Sequence, residues 1–336
     1  MVKKLPALVG LAVLLVLPQV LGAEYSWLVL LLNRALIFAI MAIGLNLLTG
    51  FAGQISIGHA AFMAVGAFTS YGLGKFVGIP FWGALPLAGL AAGLVGYALG
   101  FPALRLSGHY LAIATLGFGV AVPQVLNIWE SLTGGWTGVK PAAPYLLGVS
   151  FREDRPYYYL ILIALFIMAG LAVNLIKSRT GRAFIALRDS EVAAQAMGIS
   201  LTRYKTQAFA LSAFYAGIGG SLYAHMINYI SPHDFGGGLS MELFTIICLG
   251  GLASVNGSIV GAIFMSFLPK LTERVSLALQ KSGAFEHSHF LQNVFKNFNQ
   301  VLTGIILILV VLYLPMGLVD LWRKTKNLFA PKGVKQ

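Results

Sequence analysis

A short polar run opens one of the apolar segments of the chain, where its side chains could contact a solute crossing a membrane. The run extends from Gly53 to His59 and continues as an apolar stretch. Polar groups at membrane depth are costly, and they are tolerated mainly where they line a cavity or face another helix. Gln54, Ser56 and His59 are therefore candidates for a translocation path. The alternatives are helix caps facing water for Gln54 and Ser56, and a hydrogen-bonded helix contact for His59.

A basic connection, residues 177–205, holds a second set of candidate residues. Asp189 or Ser190 can cap a helix, Glu191 suits its positive end, and Gly198 can end it, so a helix of about two turns is predicted. Such a short Ala-rich helix buries little by itself, which favours docking into the groove of a partner. The alternative is a solvated basic loop that only fixes membrane topology.

The motifs needed for several enzyme classes are incomplete. Gly74 and Lys75 are followed by Phe76 rather than by Ser or Thr, and the earlier glycine of a phosphate-binding loop is missing. The sequence also lacks a His-Glu-x-x-His motif, paired cysteines and a nucleophile elbow. We therefore expect no ATP hydrolysis, metalloprotease or serine-hydrolase activity from this chain, no metal site and no bound cofactor.

Ion-coupled transport is disfavoured because the apolar runs contain few ionisable residues, which such transporters keep at membrane depth for function. The exceptions are Arg34, His59, His225 and Glu242. Arg34 and Glu242 lie near enough to the ends of their runs to extend towards the headgroups. The energy for transport is then expected from another protein.

The elements that position these residues are membrane-spanning helices. The chain is 58% hydrophobic and 10% charged, which excludes an ordinary soluble fold, since soluble chains are about a quarter charged. The net charge of +12 is concentrated in the connections between apolar runs, so it indicates topology rather than nucleic-acid binding. We predict an all-α, polytopic transmembrane helix bundle with about ten segments: Leu5–Leu21 (a first span or signal anchor), Trp27–Leu48, Ile55–Phe76, Trp82–Pro102, Tyr110–Ile128, Tyr157–Ile176, Thr206–Ile230, Leu239–Gly250, Gly257–Leu268 and Val301–Val319. The eighth and ninth are too short to span comfortably and are expected to be a broken pair.

The distribution of basic residues predicts the orientation. With the N-terminus inside, the inner connections carry 14 Lys and Arg against 3 acids, whereas the outer connections carry 8 against 7. Because basic loops stay in the cytoplasm, both termini are predicted to be cytoplasmic. Residues 1–330 form a single permease domain in this interpretation, with 177–205 as a cytoplasmic loop, 270–300 as an external segment and 331–336 as a cytoplasmic tail. The external segment could be an interfacial helix or a contact for a binding protein.

Several stretches carry a family resemblance over residues 44 to 262. They are Gly44–Gly50, Gly53–Ala61, Tyr110–Gly119, Ser131–Gly135, Thr180–Ala183, Ala193–Ile199, Tyr204–Lys205 and Gly250–Gly257. As an ordered set they resemble the LivM-type permease subunits of ABC importers for branched-chain amino acids, the LivH/LivM family.

The resemblance implies a set of partners and roles. It implies a LivH-like second permease, two cytoplasmic ATPase subunits that use ATP, an external substrate-binding protein, and location in the lipid of the inner membrane. Asn46 and Thr115 join the candidates for the path, and the outer residues Thr133, Gly134 and Gly135 would contact the binding protein. The residues expected to couple the chain to the ATPases are Arg182, Arg188, Asp189, Glu191, Ala193, Ala194 and Gly198.

The function implied is ATP-driven import of leucine, isoleucine, valine or similar hydrophobic amino acids. One alternative keeps the same permease architecture for urea, amides or aromatic acids. Another is an ion-coupled secondary transporter or channel that acts without ATPases, and the least favoured is an intramembrane enzyme. The amino-acid sequence does not distinguish the cargo, because selectivity in such systems resides mostly in the separate binding protein.

Overall fold

The structure is a computed structural model that describes residues 18–19, 25–103, 106, 108–146, 149–281, 298–313 and 317–318. These residues are largely helical. The α-helices, in chain order, are α1 (Ser26–Asn46), α2 (His59–Gly72), α3 (Phe81–Ala103), α4 (His109–Ile128), α5 (Glu130–Thr133), α6 (Asp154–Lys177), α7 (Arg179–Asp189), α8 (Glu191–Ala196), α9 (Leu201–Ile227), α10 (Gly237–Gly250), α11 (Val255–Lys281) and α12 (Phe298–Tyr313). A small antiparallel hairpin pairs β1 (Tyr145–Leu146) with β2 (Val149–Ser150).

Six helical stretches within the described residues are long and apolar enough to cross a membrane. They are Ser26–Phe51, His59–Val77, Phe81–Pro102, His109–Ile128, Asp154–Lys177 and Val255–Val275. The prediction of an all-α transmembrane bundle is therefore confirmed. The first predicted span falls almost entirely outside the described residues, as does the C-terminal tail, so the number of ten segments and the cytoplasmic termini stay predictions.

Helix α9 corresponds to the seventh predicted span, although it is not among the six. It is 27 residues long, but the polar residues Ser212, Ser221 and His225 lower its hydropathy. All three are buried, because α9 packs against α1, α2 and α3 in the middle of the bundle. Polar side chains that face other helices do not have to face lipid.

Small residues set the distance between the central helices. A methyl group on Gly66 of α2 would overlap the backbone of Gly217 in α9, and one on Gly96 of α3 would lie 2.7 Å from the carbonyl oxygen of Phe209 in α9. Such contacts require backbones that approach closely, as small residues allow in lipid. Gly89, Gly93, Gly96 and Gly100 of α3, which form two pairs spaced four residues apart, all have their nearest neighbours in α9.

The predicted start of the third span at Ile55 is wrong. Helix α1 runs into a π-helical turn, Leu47–Phe51, and residues 53–58 are not helical before α2 begins at His59. Gly53 takes φ +71°, a left-handed conformation that interrupts a helix and suits glycine. The chain therefore has a stretch of irregular backbone, residues 52–58, which we call the α1–α2 linker.

The eighth and ninth predicted segments correspond to α10 and α11. The prediction that both are too short to span is right for α10 and wrong for α11. Helix α10 has 14 residues, about 21 Å at a helical rise of 1.5 Å per residue, which is short of the roughly 30 Å hydrocarbon layer. Helix α11 has 27 residues and continues well beyond the predicted end at Leu268. It extends into the predicted external segment 270–300, of which residues 282–297 lie outside the described residues. Between the two helices, Gly251 and Ala253 have φ angles of +121° and +56°, so the backbone is irregular there as well.

Candidate coupling and translocation site

Serine caps define the two short helices of the basic connection. The Ser178 side chain accepts a hydrogen bond from the backbone N–H of Gly181 at the start of α7. The Ser190 side chain accepts one from the N–H of Ala193 at 3.2 Å, and α8 follows. Gly198, with φ +81°, lies just beyond the end of α8. The short helix predicted here is confirmed, with Ser190 rather than Asp189 as its cap, whereas α7 was not predicted.

Helix α8 presents apolar side chains to the outside of the subunit. Val192 is 81% exposed and Met197, just after the helix, is 71% exposed. Ala193 is also exposed, whereas Ala194 is fully buried against the rest of the chain. Among the predicted coupling residues, Ala193 therefore lies on an accessible surface and Ala194 holds α8 in place.

The basic and acidic residues around these helices divide between surface and interior. Arg182, Arg188 and Asp189 are exposed, and the Arg188 guanidinium pairs with the carboxylate of Asp189 at 2.9 Å. Glu191, whose side chain is 37% exposed, instead pairs with the interior: its Oε1 lies 2.7 Å from the Lys205 ammonium. Lys205, which sequence reasoning left out of the site, is buried.

The α1–α2 linker lies directly against α7 and α8. The Gln54 side chain donates from Nε2 to Glu191 Oε1 at 3.2 Å, and a β-carbon on Gly53 would lie 3.0 Å from the Cα of Arg188. A predicted coupling residue, Glu191, and a predicted path residue, Gln54, are thus in direct contact.

The far end of the linker and the first turn of α2 are each held by another helix. The N–H of Ile57 donates to Thr115 Oγ1 of α4 at 3.0 Å, and the N–H of Ala60 donates to Ser240 Oγ of α10 at 3.0 Å. Ser56 and Thr115 are both buried. The structure therefore brings three of the five predicted path residues, Ser56, His59 and Thr115, to the start of α2.

His59 is buried and its protonation pattern follows from its neighbours. The hydroxyl of Ser212 donates to the carbonyl of Gly44 at 2.6 Å, which uses its one hydrogen. His59 Nε2, 3.2 Å from Ser212 Oγ, must then be the protonated ring nitrogen and donate to that oxygen. Nδ1 of His59 and Oγ of Ser56 are buried without a hydrogen-bond partner among the described residues. These two atoms are polar groups that a solute or a water could satisfy.

Asn46, the fifth predicted path residue, stabilises the break between α10 and α11 instead of facing an opening. It is buried, and its Oδ1 accepts from the N–H of Ala253 at 2.8 Å. Its Nδ2 lies 3.2 Å from the carbonyl of Gly251, 3.1 Å from that of Ser254 and 2.9 Å from the hydroxyl of Ser258. One side chain thus satisfies the irregular backbone between the two helices.

Arg34 and Glu242 pair with each other, although the sequence predicted that each would extend towards the headgroups. The Arg34 Nη2 lies 2.9 Å and 3.1 Å from the two carboxylate oxygens of Glu242, which joins α1 to α10. Arg34 also lies over the ring of Phe38 at 4.9 Å. Charged groups inside a membrane protein commonly pair in this way.

The predicted contact for the binding protein is a compact turn after α5. The Thr133 side chain is buried and donates to the carbonyl of Leu126 at 2.7 Å, whereas Gly134 and Gly135 have positive φ angles. The exposed aromatic residues beside this turn are Trp129 and Trp136. The contact role stays a prediction, and the accessible residues for it are the tryptophans rather than Thr133.

A cavity of about 580 Å³ opens on the same predicted side, next to the hairpin. Lys75 and Lys140 are among its lining residues, with Phe81 and His225. The ring of His225 hydrogen bonds to the Ser70 hydroxyl and to the carbonyl of Ala142, so both of its nitrogens are engaged.

Comparison with known proteins identifies the chain at this point. A family described as the permease component of the branched-chain amino acid transport system matches residues 27–311. The chain belongs to this family. Membership confirms a multi-pass membrane permease, and it makes the chain a transport component that implies ATPase and binding-protein partners. With the LivM relatives below, it also confirms the predicted LivM-type resemblance.

Individual relatives agree with the family. The LivM high-affinity branched-chain amino acid transport system permease protein of Salmonella typhimurium strain LT2 is 33% identical over 315 residues, covering 87% of this permease and 69% of the relative. The LivM protein of Escherichia coli strain K12 is 33% identical over 319 residues, covering 87% and 70%. The autoinducer 2 import system permease protein LsrC of E. coli strain K12 / DH10B is 29% identical over 280 residues, covering 78% and 75%. No solved structure matches this permease.

Proposed function

We propose that the permease moves leucine, isoleucine, valine or similar hydrophobic amino acids across the inner membrane, driven by ATP that partner subunits bind and hydrolyse. It acts as a single permease domain beside a LivH-like permease, with two ATPase subunits on the cytoplasmic side and a substrate-binding protein outside. The chain itself binds no cofactor. Family membership and the names of the LivM relatives support this assignment.

The observation that carries the proposal is the exposed apolar surface of α8. Val192 and Met197 point outward from a helix that is capped by Ser190 and anchored through Glu191 and Ala194. Exposed apolar side chains on a fixed helix favour a partner surface that covers them. A helix of this kind on the predicted cytoplasmic side fits the docking site of an ATPase subunit.

The charges within the described helices also favour an external energy source. Arg34 and Glu242 neutralise each other, and both ring nitrogens of His225 are hydrogen bonded within the subunit. Ion-coupled transporters need groups that change their charge or their ligands during the cycle. Groups that are already paired within one subunit support the ATP-driven mechanism over the ion-coupled alternative.

A matched pair of valine substitutions tests the docking surface. Val192→Asp places a charge in the proposed contact with the ATPase, whereas Val77→Asp changes an equally apolar residue, 64% exposed, on the opposite predicted side. We expect the Val192 variant to lose copurification of the ATPase subunits and ATP-dependent uptake of labelled leucine in proteoliposomes. The Val77 variant should retain both. Retention of ATPase binding by the Val192 variant, or uphill uptake by the permease alone under an ion gradient, would contradict the proposal.

The cargo is the second part of the proposal. The LsrC relatives belong to an autoinducer 2 importer by name, so a related permease chain serves a different solute. We therefore expect the binding protein to determine which solute the permease transports. Isoleucine and valine should compete with labelled leucine for uptake, whereas urea and aromatic acids should not. Competition by urea or an aromatic acid alone would favour the alternative cargo.

A further inference from the structure

We propose that Glu191, Lys205 and Gln54 form a clamp that transmits movement of α8 to the start of α2. The three side chains meet at one atom, Glu191 Oε1, and we call them the Glu191 clamp. The inference rests on the proposed ATP-driven import, and it adds a route by which the cytoplasmic helices act on the helices that surround the path.

The first link of the clamp ties α8 to α9. Lys205 is only 3% exposed, and its ammonium lies 2.7 Å from Glu191 Oε1. A charge that is removed from water in this way requires its partner, because an unpaired buried ammonium is strongly unfavourable. Glu191 is the first residue of α8, so α8 cannot shift relative to α9 without moving or breaking this ion pair.

The second link ties α8 to the α1–α2 linker. Gln54 is buried, and its Nε2 donates to the same carboxylate oxygen of Glu191 at 3.2 Å. The position of Gln54 within the linker is fixed, since its N–H donates to the carbonyl of Leu48 and its carbonyl accepts from the hydroxyl of Thr49. Movement of α8 is therefore transferred to the linker through a side chain that has little freedom of its own.

The third link joins the linker to α4, and the start of α2 to α10. Thr115 Oγ1 lies 3.0 Å from the backbone nitrogen of Ile57 in the linker, and Ser240 Oγ lies 3.0 Å from that of Ala60 in α2. A methyl group on Gly58 would overlap the carbonyl of Thr115, so the linker and α4 are in direct backbone contact. Many side chains of α4 are exposed in the subunit, which leaves this helix less restrained than α9.

The route is physically continuous from the cytoplasmic surface to the start of α2. Residues 53–58 are not helical, so they lack the regular backbone hydrogen bonds of a helix. Contacts at the two ends of this segment fix its position instead. A segment of this kind can take a second arrangement at lower cost than a packed helix. Ser56 and His59, with their unpaired polar atoms, lie at the point where the movement would arrive.

Gln54→Leu is the test variant, because it removes the hydrogen bond to Glu191 while it keeps the approximate shape and leaves no charge unpaired. Gln207→Leu, on α9 and outside the clamp, is the matched control. The complete complex is reconstituted in proteoliposomes with its ATPases and binding protein. We expect Gln54→Leu to copurify with the ATPases at the wild-type ratio but to lose most of the stimulation of ATP hydrolysis by loaded binding protein. Leucine transported per ATP should fall by roughly 2- to 30-fold, the range over which single substitutions change the coupling between two sites.

A second variant keeps the proposal testable if the first does not fold. Thr115→Val removes the hydrogen bond at the far end of the linker, away from α8, and should give the same loss of coupling with intact ATPase binding. The reversed pair Glu191→Lys with Lys205→Glu should transport better than either single change, since it restores the ion pair.

The outcomes separate the clamp from the proposed function. Stimulation and transport within about twofold of the Gln207→Leu control, for either Gln54→Leu or Thr115→Val, would overturn the clamp. Loss of ATPase copurification in Gln54→Leu would also overturn it, because the residue would then act in assembly. A wild-type complex without ATP-dependent uptake would instead refute the proposed function.

Discussion

Replacing Asn46 with alanine should be among the most destabilising single changes in the described helices. The side-chain oxygen accepts from the N–H of Ala253, and the two hydrogens of Nδ2 are shared among three acceptors between Gly251 and Ser258. In membrane proteins a hydrogen bond between helices contributes about 0.6 kcal/mol on average and up to about 1.7 kcal/mol. Alanine also leaves the partly buried N–H of Ala253 without its acceptor, which adds to the cost. The expected loss of unfolding free energy is therefore roughly 2 to 5 kcal/mol.

Asn33 provides a matched control on the same helix. It is also fully buried, but its Nδ2 makes one hydrogen bond, to the carbonyl of Asp154 at 2.9 Å, and its Oδ1 has no partner among the described residues. Asn33→Ala should cost no more than about 1.7 kcal/mol. The two substitutions remove the same atoms from similar burial, so their difference isolates the hydrogen bonds.

The measurement is reversible unfolding of the purified permease in mixed micelles, followed by circular dichroism as a denaturing detergent is titrated. Asn46→Asp adds a further check, because the change replaces the NH₂ donor by an oxygen that faces acceptors. This variant should be at least as unstable as Asn46→Ala. Equal unfolding free energies for Asn46→Ala and Asn33→Ala, within about 0.5 kcal/mol, would refute the role assigned to Asn46.

Two further sets of substitutions test packing and charge. Gly66→Ala should destabilise the bundle by roughly 1 to 3 kcal/mol in the same titration, because its methyl group overlaps Gly217. Gly170→Ala, where nothing lies within 4 Å, should be neutral or slightly stabilising, and equal effects of the two would argue against close packing. Separate Arg34→Glu and Glu242→Arg changes should each lower the yield of folded permease, and the double reversal should recover most of it. A double variant no better than the single ones would show that the ion pair does not hold α1 to α10.

Local sequence signals predicted several parts of the structure correctly. The helix at Glu191 follows from a serine cap before it and a glycine after it, both of which act over a few residues. Apolar runs located the spans for the same reason, since lipid imposes the pattern on each helix separately.

Contacts between distant residues could not be predicted. Arg34 pairs with Glu242 across 208 positions, and Asn46 meets Ser258 across 212 positions, and nothing in the local sequence marks either partner. Ser212 and Ser240 were missed for the same reason, although polar residues inside apolar runs were a usable signal.

The length of α11 shows a different limitation. Lys270, Glu273 and Arg274 suggested a connection because they are charged, yet they continue the helix. The Lys270 ammonium pairs with Glu273 at 2.8 Å one turn away, and the Arg274 guanidinium lies 4.6 Å from the ring centre of Trp27. Charge ends the hydrophobic part of a helix without ending the helix itself, since i to i+3 pairs stabilise it.

The distribution of glycine contacts and of irregular backbone indicates where the permease can move. Helices α2, α3 and α9 meet backbone to backbone, so any separation would lose close packing along their length. The irregular stretches, by contrast, depend on single side chains: Gln54 and Thr115 for the α1–α2 linker, and Asn46 for the α10–α11 break. Exchanging a few hydrogen bonds costs less than separating packed helices. We therefore expect α2, α3 and α9 to move as one body, and the change in access to occur at the two irregular stretches.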